Sequence, residues 1–249
     1  MASMTATIAP DRSPATATAS RRRHTARRIS RSFPTLTSRQ RNAAMPVGRP
    51  LLSSTQFLDW LQPGIHADLI GGQIFMHSPV SLKHAKIVNF LDSLLRQYIE
   101  EFELGELHRE TVAVRLSPRD TFLPDLAYFT NEQATRLGDT HVDFAPTLVI
   151  EVLSPATARR DRELKFSAYE AHGVQEYWVI DPEKADHHFY RRAGDMFGEY
   201  ATPEDGDARI DAMSIPGFWI RREWLADATR LPTVAPCLAE LRTARKRRR

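Results

Sequence analysis

Residues 147–153, TLVIEVL, constrain this chain more than any other stretch. Five of the seven are apolar, three of those β-branched, and one carboxylate, Glu151, stands inside the run. The pattern predicts a buried strand. A carboxylate held there needs a partner, because burying an unpaired charge is costly. A second acid, Asp125, follows Pro124, whose fixed φ opens the apolar run LAYF, a second strand. If the two strands are neighbours, Asp125 and Glu151 can bracket one cation. A helix over about 158–171 is predicted next, with Thr157 as its cap and Gly173 closing it. On it Asp161, Lys165 and Tyr169 recur every four residues and share a face. The Lys165 stem can lie along the sheet edge with its ammonium near the acids. Two acids and one lysine are what a metal-dependent hydrolase needs.

Plainer roles compete at several positions. Lys165 also pairs with Asp161 as an ordinary i,i+4 surface contact. Tyr169 reads as core before catalyst. His84, near the start of a long amphipathic helix over 82–102, suits a capping or surface role as well as a functional one. Arg159, Arg160 and Arg162 fit a grip on a phosphate backbone and a solvated helix start equally. The neighbours His187 and His188 alternate in direction and cannot share a metal.

The order Pro124-Asp125, then Glu151-Val152-Leu153-Ser154-Pro155, then Asp161 and Lys165, then GVQEYWVIDP over 173–182 resembles the Uma-two family of restriction endonucleases. That family belongs to the PD-(D/E)XK nuclease superfamily, and the resemblance covers about residues 54 to 225. It implies an α+β fold with a central mixed β-sheet flanked by helices in the order helix, three strands, helix, strand. Leu153 stands where the superfamily places a lysine; Lys165 matches the helix position that replaces it. Near the N-terminus Asp68 stands where the family has an accessory glutamate, and the acid that follows in the family is Gly71 here. The resemblance implies catalytic roles for Asp125, Glu151, Lys165 and Asp68. Mg²⁺ or Mn²⁺ would be held by Asp125, Glu151 and the Val152 carbonyl. The implied activity is endonucleolytic cleavage of phosphodiester bonds in nucleic acid, DNA above RNA, by a homodimer in the cytoplasm. The alternative is a nuclease fold that has lost catalysis and acts as a binding or regulatory module.

Charge is distributed very unevenly. Residues 51–236 hold 18 basic and 29 acidic side chains, a net charge of −11, whereas residues 1–50 carry ten arginines and one acid. This counts against a phosphate-binding surface spread over the whole fold. Residues 1–50 lack apolar periodicity and read as a disordered basic segment, whose composition fits either an organelle transit peptide or an upstream extension with Met45 as the true start. The nuclease-like domain is expected over 51–232, with a hairpin over 66–77 turning at Gly71-Gly72, the alternating TVAVRL over 111–116 as the first of the three strands, and a β-meander over 186–224 with a turn at 204–206; a solvated basic tail is expected over 233–249. No apolar run approaches the 18 residues of a membrane span. The lone Cys237 has no disulfide partner within the chain.

Overall fold

The computed structural model describes residues 51–110, 112–155, 158–201 and 209–247, all within the compact unit Leu36–Arg249. Helix α1 (Ser54–Trp60) starts with a capping box in which Ser53 and Gln56 satisfy each other's backbone amides. Strands β1 (Ala67–Ile70) and β2 (Gln73–Met76) form the expected hairpin. Its turn takes positive φ at both Gly71 and Gly72 (56° and 79°), the demand of a two-residue type I′ loop. Helix α2 (Leu82–Glu101) is capped by Ser81 and buries Ile87, Phe90, Leu91, Leu94, Leu95 and Tyr98, the face its periodicity predicts.

The main sheet contains β3 (Gly105–Arg109), β6 (Leu126–Thr130), β8 (Leu148–Val152), β9 (Glu176–Ile180), β10 (His188–Ala193) and β11 (Met196–Glu199), in the order β11-β10-β9-β8-β6-β3. Only β8 and β9 pair in parallel; the other neighbours are antiparallel. A short helix, α3 (Asn131–Ala134), follows β6, and between β8 and β9 the chain forms α4 (Ala158–Arg160), a π-helical turn (Asp161–Lys165) and α5 (Phe166–Ala171). Helix, three strands, helix and strand therefore follow in the order that the resemblance implies. Thr157 lies outside the described residues.

One strand of the three is not the expected one. TVAVRL supplies β4 (Ala113–Ser117), which joins a second sheet with β5 (Asp120–Phe122) and β7 (His141–Val142), ordered β2-β1-β5-β4-β7. The first core strand is β3, in which only Leu107 is buried. An edge strand with one buried side chain leaves little hydrophobic pattern to read.

The meander also divides. Strands β10 and β11 extend the main sheet, while β12 (Arg209–Asp211) and β13 (Trp219–Arg221) pair with each other in a separate two-stranded sheet among the described residues. The turn expected at 204–206 lies outside the described residues. The expected tail differs most: residues Val234–Lys246 form a helix, α6, that buries Cys237, Leu238 and Leu241 in the same cluster as the α2 stripe. Arg245 lies over the Phe102 ring at 4.3 Å, and Arg242 pairs with Glu101 at 2.6 Å. A few apolar residues just ahead of Arg242, Arg245 and Lys246 carry the docking, a signal that the charge composition of the segment masks.

Strand β8 is buried along its whole length, and its alternation decides what faces what. Leu148, Ile150 and Val152 enter the cluster built on α2. Val149 and Leu153 enter a cluster with Tyr169, Tyr177 and Val179. Glu151 shares the parity of this second face and so points toward the helical segment that carries Lys165.

Candidate active site

Register brings the two strand acids together. Leu126 pairs with Ile150 across β6 and β8, so one residue further along the antiparallel ladder Asp125 stands opposite Glu151. Val152 N–H donates to Asp125 Oδ2 at 2.7 Å. His84, from the first turn of α2, reaches the other oxygen: its Nε2 lies 3.4 Å from Asp125 Oδ1. The imidazole is buried, which disfavours its charge. Asp125, the Val152 backbone and Glu151 outweigh that and raise its pKa above the usual histidine value. The cap belongs to Ser81, whose hydroxyl accepts from His84 N–H.

Lys165 is 2% exposed, unlike a surface i,i+4 partner. Its ammonium donates to Glu151 Oε1 at 2.8 Å and faces Asp68 Oδ2 at 3.3 Å and Asp161 Oδ1 at 3.5 Å. The π-helical turn ends on this lysine; such local widening recurs at functional sites. Tyr169, one turn on, donates to the same Glu151 oxygen at 2.8 Å. Burial and then the charge of Glu151 raise its pKa well above the ordinary tyrosine value, so it remains a proton donor. Its recurrence four residues after Lys165 was the signal for this contact.

Asp68, on β1, is completely buried. It accepts from Leu123 N–H at 2.9 Å through Oδ1, and its Oδ2 lies 2.9 Å from His77 Nε2. Burial works against its charge, but Lys165, His77 and Arg160 hold the carboxyl well below the usual carboxylate range. Burial likewise opposes the Lys165 ammonium, and Asp68, Glu151 and Asp161 together keep it well above the usual lysine value. Glu151 shifts the other way. Burial and the nearby Asp125, Asp161 and Asp68 push it up to about 8 against the pull of Lys165. Asp68 therefore carries the charge that balances the lysine, and Glu151 is left with a high affinity for a proton or another cation.

The three arginines part company. Arg159 pairs with Glu163, and Arg162 with Asp181. Arg160 alone turns to the site, 3.9 Å from both Asp68 and Asp161. Among the described residues, buried atoms of His84 (Nδ1), Arg160 (Nε) and Asp161 (Oδ1) have no hydrogen-bond partner. Among the described residues no three His, Cys, Asp or Glu side chains gather as a ready-made set of metal ligands. Two facing carboxylates still match a small hard cation that keeps most of its water, and the crowded acids around Glu151 leave a deficit of positive charge that such an ion would fill.

Among solved structures, the chain resembles a "putative nuclease" from Anabaena variabilis, with TM-score 0.56 and 18% identity over 76% of this chain and 99% of that one. At that identity the likeness speaks for the fold. No curated protein matches the sequence. Residues 54–227 match the Uma2 family, described as "Putative restriction endonuclease". With the match spanning most of the chain, and the helix, strand and acid order described above lying within it, this protein belongs to the Uma2 family.

Proposed function

We propose that the protein is a metal-dependent endonuclease that hydrolyses phosphodiester bonds of nucleic acid, with DNA as the substrate. The observation that carries this reading is the placement of Asp125 opposite Glu151 on one sheet face, with a buried lysine 2.8 Å from the glutamate. Asp125 and Glu151, with the Val152 carbonyl, would hold Mg²⁺ or Mn²⁺. Such an ion would supply an activated water and stabilise charge on the phosphate. Lys165 orients that water or offsets the developing charge, and Tyr169 fixes the Glu151 carboxylate that receives the lysine. Asp68 keeps Lys165 charged from behind, and His84 holds Asp125 from the opposite side. Leu153, in the position usual for the lysine, is 2% exposed and packs in the apolar cluster under Tyr169.

A second reading has its own observation. Lys165 is enclosed by three carboxylates, a self-satisfied arrangement that a binding module with no catalysis would also keep. Cleavage of a supercoiled plasmid and of a single-stranded oligomer, with calorimetric titration of Mn²⁺, separates the two. Asp125→Asn and Glu151→Gln are expected to abolish cleavage and weaken cation binding, because a neutral amide is a poor ligand for a hard cation. Lys165→Met is expected to retain cation binding and lose turnover. Wild-type protein that binds no divalent cation at neutral pH sinks the enzyme in favour of the module.

A further inference from the structure

A histidine outside the acid and lysine set stands directly behind the lysine. His77, the residue after β2, places Nε2 2.9 Å from Asp68 Oδ2, the same oxygen that faces Lys165. Its Nδ1 lies 3.4 Å from Glu110 Oε1, and that oxygen also meets His66 Nδ1 at 3.1 Å. The His77 side chain is 16% exposed, against 36% for Glu110 and 45% for His66. A line of alternating basic and acidic side chains thus runs from solvent at His66 and Glu110, through His77 and Asp68, to Lys165 and Glu151. The backbone fixes both of its inner members: His77 N–H donates to His66 O at 2.9 Å, and Leu123 N–H holds Asp68 Oδ1.

We infer that His77 is a positioning residue for the hydrolysis: by sharing Asp68 Oδ2 with Lys165 it limits how strongly Asp68 draws the ammonium away from Glu151. The inference rests on the reading of Lys165 as the catalytic cation. The distances support the division of labour. Asp68 Oδ2 lies closer to the imidazole (2.9 Å) than to the ammonium (3.3 Å), while Lys165 lies closer to Glu151 (2.8 Å) than to Asp68. Without the imidazolium, Asp68 would concentrate its charge on Lys165 and pull Nζ back from the reacting side. The charged groups facing His77 are Asp68 from β1, Glu110 from the turn after β3, and Lys165 from the π-helical turn; His66 faces Glu110. Burial disfavours the imidazolium, Asp68 and Glu110 favour it, Lys165 opposes it, and the balance lies at about 9. His77 is therefore a cation at neutral pH and loses its charge as pH rises through that value.

His77→Gln keeps an amide donor and removes the charge. It is expected to lower kcat roughly 10- to 100-fold, the usual range for a residue that orients an active-site group, with KM and the Mn²⁺ midpoint unchanged. The wild-type fall in kcat near pH 9 should disappear in this variant. Glu110→Gln, at the solvent end of the line, is expected to leave the plateau kcat intact and to move the alkaline fall to lower pH, because His77 loses an anionic neighbour. It decides the matter if His77→Gln does not fold. Wild-type kcat together with an unmoved alkaline fall overturns the inference. A readout independent of turnover is an NMR titration of the His77 ring in wild type and Lys165→Met: its midpoint should rise when the neighbouring cation is removed, and an unchanged midpoint refutes the coupling. Lys165→Met that cuts at the wild-type rate, by contrast, refutes the catalytic role of Lys165 on which the inference rests and leaves the His77 titration to stand or fall by itself.

Discussion

Asp68 balances Lys165, and that assignment leaves Glu151 short of positive charge. Its raised pKa has a consequence for stability. A carboxyl whose folded-state value lies above its unfolded one binds its proton more tightly in the native state, so stability falls as pH rises from about 4.5 to about 8. His77 acts in the same direction: its stabilisation is complete below about 6.5 and is lost as pH rises through about 9. Asp68 works at the acid end, since a depressed pKa contributes stability that disappears as pH falls. Melting temperature is thus expected to peak in mildly acidic buffer and to decline toward pH 9. Mg²⁺ should raise it more at pH 8.5 than at pH 5.5, where protons compete for Glu151. With free cation at ten times its Kd the gain is about 1.4 kcal/mol, or roughly 3–6 °C for a domain of this size. Differential scanning fluorimetry checks this, with Glu151→Gln expected to lose the increment; an equal Mg²⁺ shift in that variant places the ion elsewhere.

Strand β3 shows how an element can be essential to topology and almost silent in sequence. It closes the main sheet against β6 through a five-residue register from Gly105↔Thr130 to Arg109↔Leu126. Its entry depends on Gly105, with φ at +139°, where an added Cβ would stand 2.1 Å from the Phe129 carbonyl oxygen. Gly105→Ala is expected to cost on the order of 3 kcal/mol from strain and forced backbone displacement, read as a fall in melting temperature of roughly 6–12 °C. Gly71→Ala is the control: its φ is +56° but open space surrounds the new methyl, so about 1 kcal/mol is expected from the left-handed conformation alone. Equal losses in the two variants would show that close packing at Gly105 is immaterial. Helix α6 is silent for a different reason, because its few buried residues come just before Arg242, Arg245 and Lys246, and a composition argument assigns the whole segment to solvent.

At the scale of the molecule, charge sets the terms on which a polyanion can approach. Residues 51–236 carry a net −11 while residues 1–50 carry nine excess positive charges, and Arg159 and Arg162 are engaged by local acids. Removing residues 1–44 is expected to leave the melting temperature unchanged and to weaken binding to duplex DNA. It should also flatten the dependence of affinity on salt between about 50 and 200 mM, since the logarithmic slope falls by about 0.9 for every phosphate that the protein ceases to neutralise. Fluorescence anisotropy on a labelled duplex checks this. A large loss of melting temperature would instead show that the segment helps to hold the fold.

Local pattern in the sequence was enough for the hairpin at Gly71 and Gly72, the buried face of α2, the central strand with its misplaced glutamate, and the spacing of Asp161, Lys165 and Tyr169. Each of these depends on period and on turn chemistry, which act over a few residues. Tertiary structure decided who meets whom. The meeting of Lys165 with Asp68, separated by nearly a hundred residues, the line from Asp68 through His77 to Glu110, and the replacement of TVAVRL by β3 in the main sheet all require strand order across two sheets. The docking of α6 on α2 likewise depends on a surface made elsewhere in the chain. Long-range pairings of this kind are chosen by burial and charge compensation among distant segments, so no window of sequence contains them.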